Sequence, residues 1–347
     1  REAYLKYPQN ETVIDFLNNN KSRFSDISIY FDIPSSPNDV LYNWGLPEKL
    51  KGNVILDDKR QAILDEVLSS KSGENFVILG EPGIGKTSLL FEIFDRFIEN
   101  VPTGVLSSGV TEIKSWNSDL EVRLFYDDIP ENDTLVEALT SSSPKGIVLS
   151  ARREDWNKLD SNLRNKFTER SIEVFNDEMM FEVSTRMLNF SGIISSEAVI
   201  RKLIKFAEGS PIYVYCMIKE LLNKNETALH DDYIKVHARK GMHNYIAGLL
   251  QRLIMKRGES DYKEGGLHAL VCLYFLSGLN EKRCSMTFFR NFADNISKHT
   301  EEKLSSSKSR IFNDVLRYMS GSSLTVKFPH DTWADVVTNN MAQQSVF

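Results

Sequence analysis

Cysteine is scarce in this 347-residue sequence, which contains only three. Cys216, Cys272 and Cys284 are scattered, lie in apolar or mixed surroundings, and match no spacing typical of a zinc site. The sequence therefore does not support a fold held together by disulfides or zinc. We expect three reduced thiols in a cytoplasmic protein.

Long apolar runs are also missing. The longest one, residues 267–279, contains His268 and is shorter than the run of about 18 apolar residues that a membrane-spanning helix needs. It predicts a buried helix, and we expect no membrane partner. No signal-peptide pattern is visible, and because the sequence starts at Arg1 rather than at Met, we expect a piece of a longer protein.

Positive charge is not in excess, since 42 Lys and Arg residues face 48 Asp and Glu residues. The net charge of −6 excludes a general attraction to nucleic acid but leaves room for a local basic face. The content of 41% hydrophobic and 26% charged residues is typical of a globular protein. The length allows two or three domains with well-buried cores, and no internal repeat is present.

A glycine-rich stretch between a predicted strand and a predicted helix is the most informative motif. The apolar residues 76–79 lead into the pattern G-x-x-x-x-G-K-[ST], and one more serine follows. Glycine has no Cβ, so the backbone can turn its N–H groups toward phosphates, and the following helix adds its positive dipole end. The motif predicts a nucleotide site, the P-loop, formed by Gly80, Glu81, Pro82, Gly83, Ile84, Gly85, Lys86, Thr87 and Ser88.

Two acidic residues follow a later buried strand. Residues 122–126 are mostly apolar, and Asp127 and Asp128 come directly after them. In P-loop proteins an acid at the end of a neighbouring strand holds Mg²⁺, and a second one can orient or deprotonate the attacking water. The alternative is a surface turn with two carboxylates, and the P-loop upstream favours the catalytic interpretation.

An arginine follows the next predicted parallel strand, over residues 145–151. Ligands of open α/β sheets bind beyond the carboxyl ends of the strands, so an arginine there is placed to contact a γ-phosphate. We name Arg152 as the candidate sensor and Arg153 as the alternative. A solvated arginine that merely follows the strand also fits the pattern.

The second half of the chain is mostly helical in pattern. Ser195 is the expected N-cap of one helix, and Gly209-Ser210-Pro211 is expected to begin another, which alone indicates only a helix–loop–helix. Three further helices and a short β element suggest a winged helix. These elements are predicted over residues 245–255, 267–279, 311–319 and 324–328.

In this order the motifs resemble the signal-transduction ATPases with numerous domains (STAND), in the branch that includes NB-ARC, NACHT and archaeal ATPase modules. The resemblance implies an α/β fold, with the parallel sheet of an ASCE-type P-loop NTPase and helices on both of its faces. A helical lid domain and a winged-helix domain would follow. The expected division is an N-terminal segment of unknown role over residues 1–50, the nucleotide domain over 51–175, the lid over 176–240 and the winged helix over 241–347.

The resemblance also implies roles for residues of the nucleotide domain. Lys86 and Thr87 would bind the phosphates and Mg²⁺, and Asp127 would support the Mg²⁺. Asp128 would act on water, and Arg152 would be the first sensor. The interval from Lys86 to Asp127 is short for this family, so residues are absent from the sequence or one edge of the sheet is reduced.

Two more residues receive roles from the resemblance. Pro211 would lie against the adenine, and His330 would contact the β-phosphate of bound ADP as a latch that holds the module closed. Without the resemblance, His330 is equally well a histidine satisfied at a helix start. The family's familiar Met-His-Asp motif has Pro329 in place of its methionine here, while the histidine and the aspartate are kept.

The implied function is an ATP/ADP switch in signalling or defence, in which slow Mg²⁺-dependent hydrolysis or nucleotide exchange controls conformation and assembly. Its partners would be nucleotide and other protein chains, including further copies of itself in the ATP state. The alternative is a DNA-binding AAA+ ATPase, similar to helicase loaders and origin-binding proteins, that uses its winged helix on DNA. We favour it less because residues 209–213 offer no second-sensor arginine and residues 329–331 have no role in a DNA wing. In its favour, Arg310, Arg317 and Lys327 lie near the expected wing. A metabolic kinase would need an acceptor-binding lid, for which the sequence gives no sign.

Overall fold

The computed structural model describes two compact units, Arg1–Glu173 and Val174–Phe347. The described residues are 31–32, 54–97, 103–106, 123–129, 133–142, 145–254, 260–279, 283–299, 316, 319, 325–328 and 332–344. The elements of the first unit are β1 (Phe31–Asp32), α1 (Asp58–Ser69), β2 (Phe76–Leu79), α2 (Lys86–Phe97), β3 (Thr103–Leu106), β4 (Arg123–Tyr126), α3 (Asp133–Ser142), β5 (Ile147–Ala151), α4 (Arg153–Lys158), α5 (Ser161–Arg164) and β6 (Thr168–Ser171).

A six-stranded sheet organises the first unit, in the order β1-β3-β4-β5-β2-β6. The short β1 is antiparallel to β3, and every other neighbouring pair is parallel. Strand β5 therefore stands between β2, which leads into the P-loop, and β4, which leads to Asp127. The carboxyl ends of these three strands lie at the same edge of the sheet.

Helices cover both faces of this sheet. Val77 and Leu79 of β2 belong to a buried cluster that includes Trp156 of α4. Phe76 and Ile78, which alternate with them, belong to a second cluster formed with α1 and α2. A strand buried on both faces has the continuous apolar sequence seen here. The expected α/β fold, a parallel sheet between two layers of helices, is confirmed.

The second unit is helical with one small sheet. Its elements are α6 (Asp177–Phe190), α7 (Glu197–Ala207), α8 (Pro211–Asn223), α9 (Asp231–His237), α10 (Met242–Ile254), α11 (Ser260–Ser277), β7 (Arg283–Ser285), α12 (Met286–His299), β8 (Thr325–Lys327) and α13 (Thr332–Gln344). Strands β7 and β8 pair antiparallel. No described helix is both long and apolar enough to cross a bilayer.

Most of the local expectations for the second unit agree with these elements. Helices α10 and α11 cover most of the two segments expected from the apolar spacing, and Pro211 occupies the first turn of α8. The expectation that Ser195 caps a helix is wrong, because Ser196 is the N-cap of α7. The hydroxyl of Ser195 instead donates to the Leu229 carbonyl at 3.2 Å.

Other expectations stay open. Most of the helix predicted over residues 311–319 lies outside the described residues. The division of the second unit into a lid and a winged helix therefore stays a prediction.

Candidate functional site

The P-loop has a backbone that favours glycine at several positions. Gly83 and Gly85 have φ values of 79° and 98°, in the region that other residues rarely adopt. A Cβ on Gly80 would lie 2.5 Å from Cδ1 of Ile84 and 3.1 Å from the Ile172 carbonyl oxygen. Geometry therefore favours glycine at all three positions of the motif, at two by conformation and at one by close packing.

Lys86 begins helix α2 and points its ammonium back into the loop. Its Nζ donates to the carbonyl oxygens of Gly80 and Glu81, both at 2.9 Å. The side chain is largely buried, and burial lowers the pKa of Lys86, while the Asp128 and Asp127 carboxylates partly offset this effect. The cation is thus held inside the loop that its sequence motif assigns to phosphate binding.

Ser150 links the two candidate acids. Its hydroxyl donates to Oδ1 of Asp127 at 2.5 Å and accepts the backbone N–H of Asp128 at 2.9 Å. Asp128 has a φ of 55°, so the chain turns sharply after Asp127. The hydroxyl therefore orients the carboxylate of Asp127, while half of the Asp128 side chain is exposed to solvent.

Arg152 lies next to the second acid. Its Nε is 3.9 Å from Oδ1 of Asp128, and it is the residue that immediately precedes helix α4. Arg153, the alternative candidate, donates instead to the Ser171 hydroxyl. The structure thus places Arg152, rather than Arg153, beside the predicted catalytic carboxylates.

The structure brings four of the predicted side chains together at the carboxyl edge of the sheet, after strands β2, β4 and β5, and three of them shift the pKa of the fourth, Lys86. Thr87 and Ser88 follow Lys86 in the first turn of α2, where both are partly buried. Pro211 belongs to the second unit, and His330 lies outside the described residues. The four residues of this group, which we call the edge cluster, are Lys86, Asp127, Asp128 and Arg152.

Two residues of the site were not predicted from the sequence. Ser150 could have been noticed as a polar residue at the end of an apolar strand. Arg60 is only 2% exposed, and its Nη2 donates to the Ile84 carbonyl of the P-loop at 2.9 Å. The helical spacing could have indicated this residue, because it lies three residues before Ile63 and seven before Val67, on the apolar face of α1.

Together, these features define the fold class of the P-loop NTPases: a glycine-rich loop between β2 and α2, an inserted β5, and an acid after β4. No family model matches the sequence, and comparison with curated proteins also finds no match.

Solved structures give distant similarities. The Holliday junction branch migration motor RuvB of Thermotoga maritima is 18% identical over 62% of this chain and 80% of its own, with a TM-score of 0.44. Domain III of the Thermotoga maritima replication initiation protein DnaA is 15% identical over 53% and 89%, with a TM-score of 0.41. Cdc6p of Pyrobaculum aerophilum is 11% identical over 86% and 99%, with a TM-score of 0.39. Because all three scores lie below 0.5, these similarities assign no family and no function to the chain.

Proposed function

We propose that this protein is an ATP/ADP-binding switch of the STAND type that hydrolyses ATP slowly and changes its conformation and assembly with the bound nucleotide. The observation that carries nucleotide binding is the edge cluster beside the P-loop. A buried lysine, two acids and an arginine lie where an open parallel sheet binds its ligands.

The backbone and the lysine would bind the phosphates. Gly83 and Gly85 shape the cradle, and Lys86 would exchange its two carbonyl partners for phosphate oxygens. Thr87 and Asp127 offer the hydroxyl and carboxylate oxygens that suit Mg²⁺. When bound, Mg²⁺ would neutralise charge on the phosphates. Phosphate oxygens of the nucleotide would complete the coordination of this ion.

The contact between Asp128 and Arg152 supports a switch. Asp128 would orient or deprotonate the attacking water, and Arg152 would contact the γ-phosphate. A γ-phosphate would therefore compete with Asp128 for the guanidinium, whereas ADP would leave the 3.9 Å contact in place. Contacts that differ between the two ligands are what a two-state element requires.

The proposed roles of the second unit rest on the order of its motifs. Pro211 would lie against the adenine, and His330 would contact the β-phosphate of ADP. The proposed partners are nucleotide, further copies of the chain in the ATP state, and other proteins.

The test begins with the nucleotide that copurifies with the chain, identified by chromatography after acid denaturation. We expect ADP in the wild type and none in Lys86→Ala, and we expect His330→Ala to release a fluorescent ADP analogue faster. Light scattering should detect a larger species with ATP than with ADP. Rapid turnover and an unchanged rate of ADP release in His330→Ala would contradict the switch.

One observation favours a second candidate, a DNA-stimulated ATPase. Arg283 of β7 and Lys327 of β8 occupy directly opposed positions, so two cationic residues share one end of this β pair. A duplex that raises the ATPase rate, with the increase lost in Lys327→Gln, would select this function over the switch.

A further inference from the structure

Arg60 is one of the most buried charged residues of the first unit, although it lies outside the P-loop motif. Its backbone N–H donates to Oδ1 of Asp57, the N-cap of α1, at 2.8 Å. Its Nη1 pairs with the second oxygen of the same carboxylate. Burial lowers the pKa of Arg60, and Asp57 opposes this effect, so the pair keeps a cation inside the domain.

One guanidinium nitrogen serves two carbonyl groups. Nη2 of Arg60 donates to the Ile84 carbonyl at 2.9 Å and to the Glu173 carbonyl at 2.7 Å. Ile84 is inside the P-loop, and Glu173 is the last residue of the first unit. Because the guanidinium is planar and its donors form a rigid fork, all of these partners constrain one another's positions.

The Ile84 carbonyl matters because it shares a peptide plane with the N–H of Gly85. In a trans peptide these two groups point in opposite directions. The bond from Arg60 therefore fixes which way the Gly85 N–H points. Gly85 itself has a φ of 98°, and a glycine offers little resistance to rotation of the peptide that precedes it.

The Ile84 side chain is anchored separately from its carbonyl. Its Cδ1 packs over Gly80, and the side chain belongs to the buried cluster that also contains Ile172. Loss of the bond from Arg60 would thus leave the side chain in place and free only the peptide group. The effect on the loop would be local.

We propose that Arg60 is a positioning residue of the nucleotide site, which turns the Gly85 N–H toward the phosphates by holding the Ile84 carbonyl on the opposite side. This inference rests on the proposed nucleotide binding. Arg60 has no contact with the ligand in this scheme and acts only through the loop.

A second buried arginine provides a matched control. Arg123 is 3% exposed, and it donates to the Glu74 carbonyl and the Ser70 hydroxyl, both at 3.1 Å. These partners precede β2, whereas the P-loop follows it. Replacement of Arg123 by Met also removes a buried guanidinium from the same unit, but this guanidinium contacts residues before β2 and not the P-loop after it.

The experiment compares Arg60→Met, Arg60→Lys and Arg123→Met in the full chain. The Kd of a fluorescent ADP analogue is measured well below every Tm, and the Tm is measured separately without nucleotide. Both Met variants should lose thermal stability. Only Arg60→Met should bind ADP about 10- to 100-fold more weakly, the range expected for one charge-assisted hydrogen bond.

The Lys variant keeps the charge but not the fork, so its Kd should lie between those of Arg60→Met and the wild type. It also keeps the inference testable if Arg60→Met fails to fold. A wild-type Kd in both Arg60 variants, or an equal loss in Arg60→Met and Arg123→Met, would assign Arg60 a purely structural role. A wild-type chain that binds no ADP would overturn the proposed function and this inference with it.

Discussion

Replacement of Glu220 by Gln should destabilise the second unit strongly. The carboxylate is 1% exposed and accepts hydrogen bonds from Tyr245 at 2.7 Å, Lys224 at 2.9 Å and Arg252 at 3.1 Å. Burial alone would raise the pKa of Glu220, but these partners, with Arg252 the strongest, lower it. The Gln side chain keeps the shape and removes the negative charge, so two cations lose their counter-charge.

The size of this destabilisation follows from the burial of the cations that remain. Breaking one partner of a buried ion pair costs about 3–5 kcal/mol, and we expect about 3 kcal/mol because Arg252 is 26% exposed and can regain some water. For a unit of this size that loss lowers the Tm by about 6–12 °C. Differential scanning calorimetry measures the shift, and hydrogen exchange should localise the weakening to α8 and α10.

Two further variants complete the measurement. Glu197→Gln removes one of the two exposed carboxylate partners of Arg201, and we expect it to leave the Tm unchanged within error. The double variant Glu220→Gln, Arg252→Met should recover part of the loss, because it leaves fewer unpaired cations. A Tm of Glu220→Gln within about 2 °C of the wild type would refute the assignment of Glu220 as the buried counter-charge of these cations.

Three other outcomes are expected. Burial lowers the pKa of His237 to about 4, below about 6.5 in the unfolded chain, so the unfolded state binds more protons between these values. The free energy of unfolding should have its full value above about pH 6.5 and fall by about 2 kcal/mol toward pH 4, which is less than the pKa shift alone implies because part of the ring is exposed. Urea titrations of the wild type and His237→Gln measure this difference. Gly146→Ala should cost about 2 kcal/mol or more in urea titrations, because φ is +87° and the new Cβ would lie 2.2 Å from a backbone oxygen. Gly192→Ala, with φ of +70° and open space, should show the cost of strain alone. Burial raises the pKa of Cys216 to about 12, so a thiol reagent should modify the half-buried Cys284 first and Cys216 only on unfolding; equal rates would contradict this.

Short-range patterns predicted the elements of the first unit well. The apolar runs of β2 and β5 and the helical spacing of α2 reflect burial on a parallel sheet, which is visible in consecutive residues. These features depend on neighbours within a few residues along the chain.

The errors and omissions arise from contacts across long distances in sequence. Two adjacent serines could each have capped α7, and a hydrogen bond from Ser195 to the Leu229 carbonyl, 34 positions away, assigns it another role. Arg60 was overlooked because its carbonyl partners lie 24 and 113 positions away. A buried arginine is stable only where such partners exist, and the sequence of α1 alone does not contain them.

The hydroxyl of Ser150 explains how two adjacent acids can have different roles. Its single hydrogen is used on the Asp127 carboxylate, and one of its lone pairs accepts the N–H of Asp128. Asp127 is thereby oriented by the end of β5, while the Asp128 side chain projects past the turn toward Arg152, which follows the same strand. Strand β5 thus orients the proposed metal ligand and also carries the partner of the proposed water-activating acid. A ligand that displaced Arg152 would change the surroundings of the Asp128 carboxylate and leave the hydrogen bond from Ser150 to Asp127 in place.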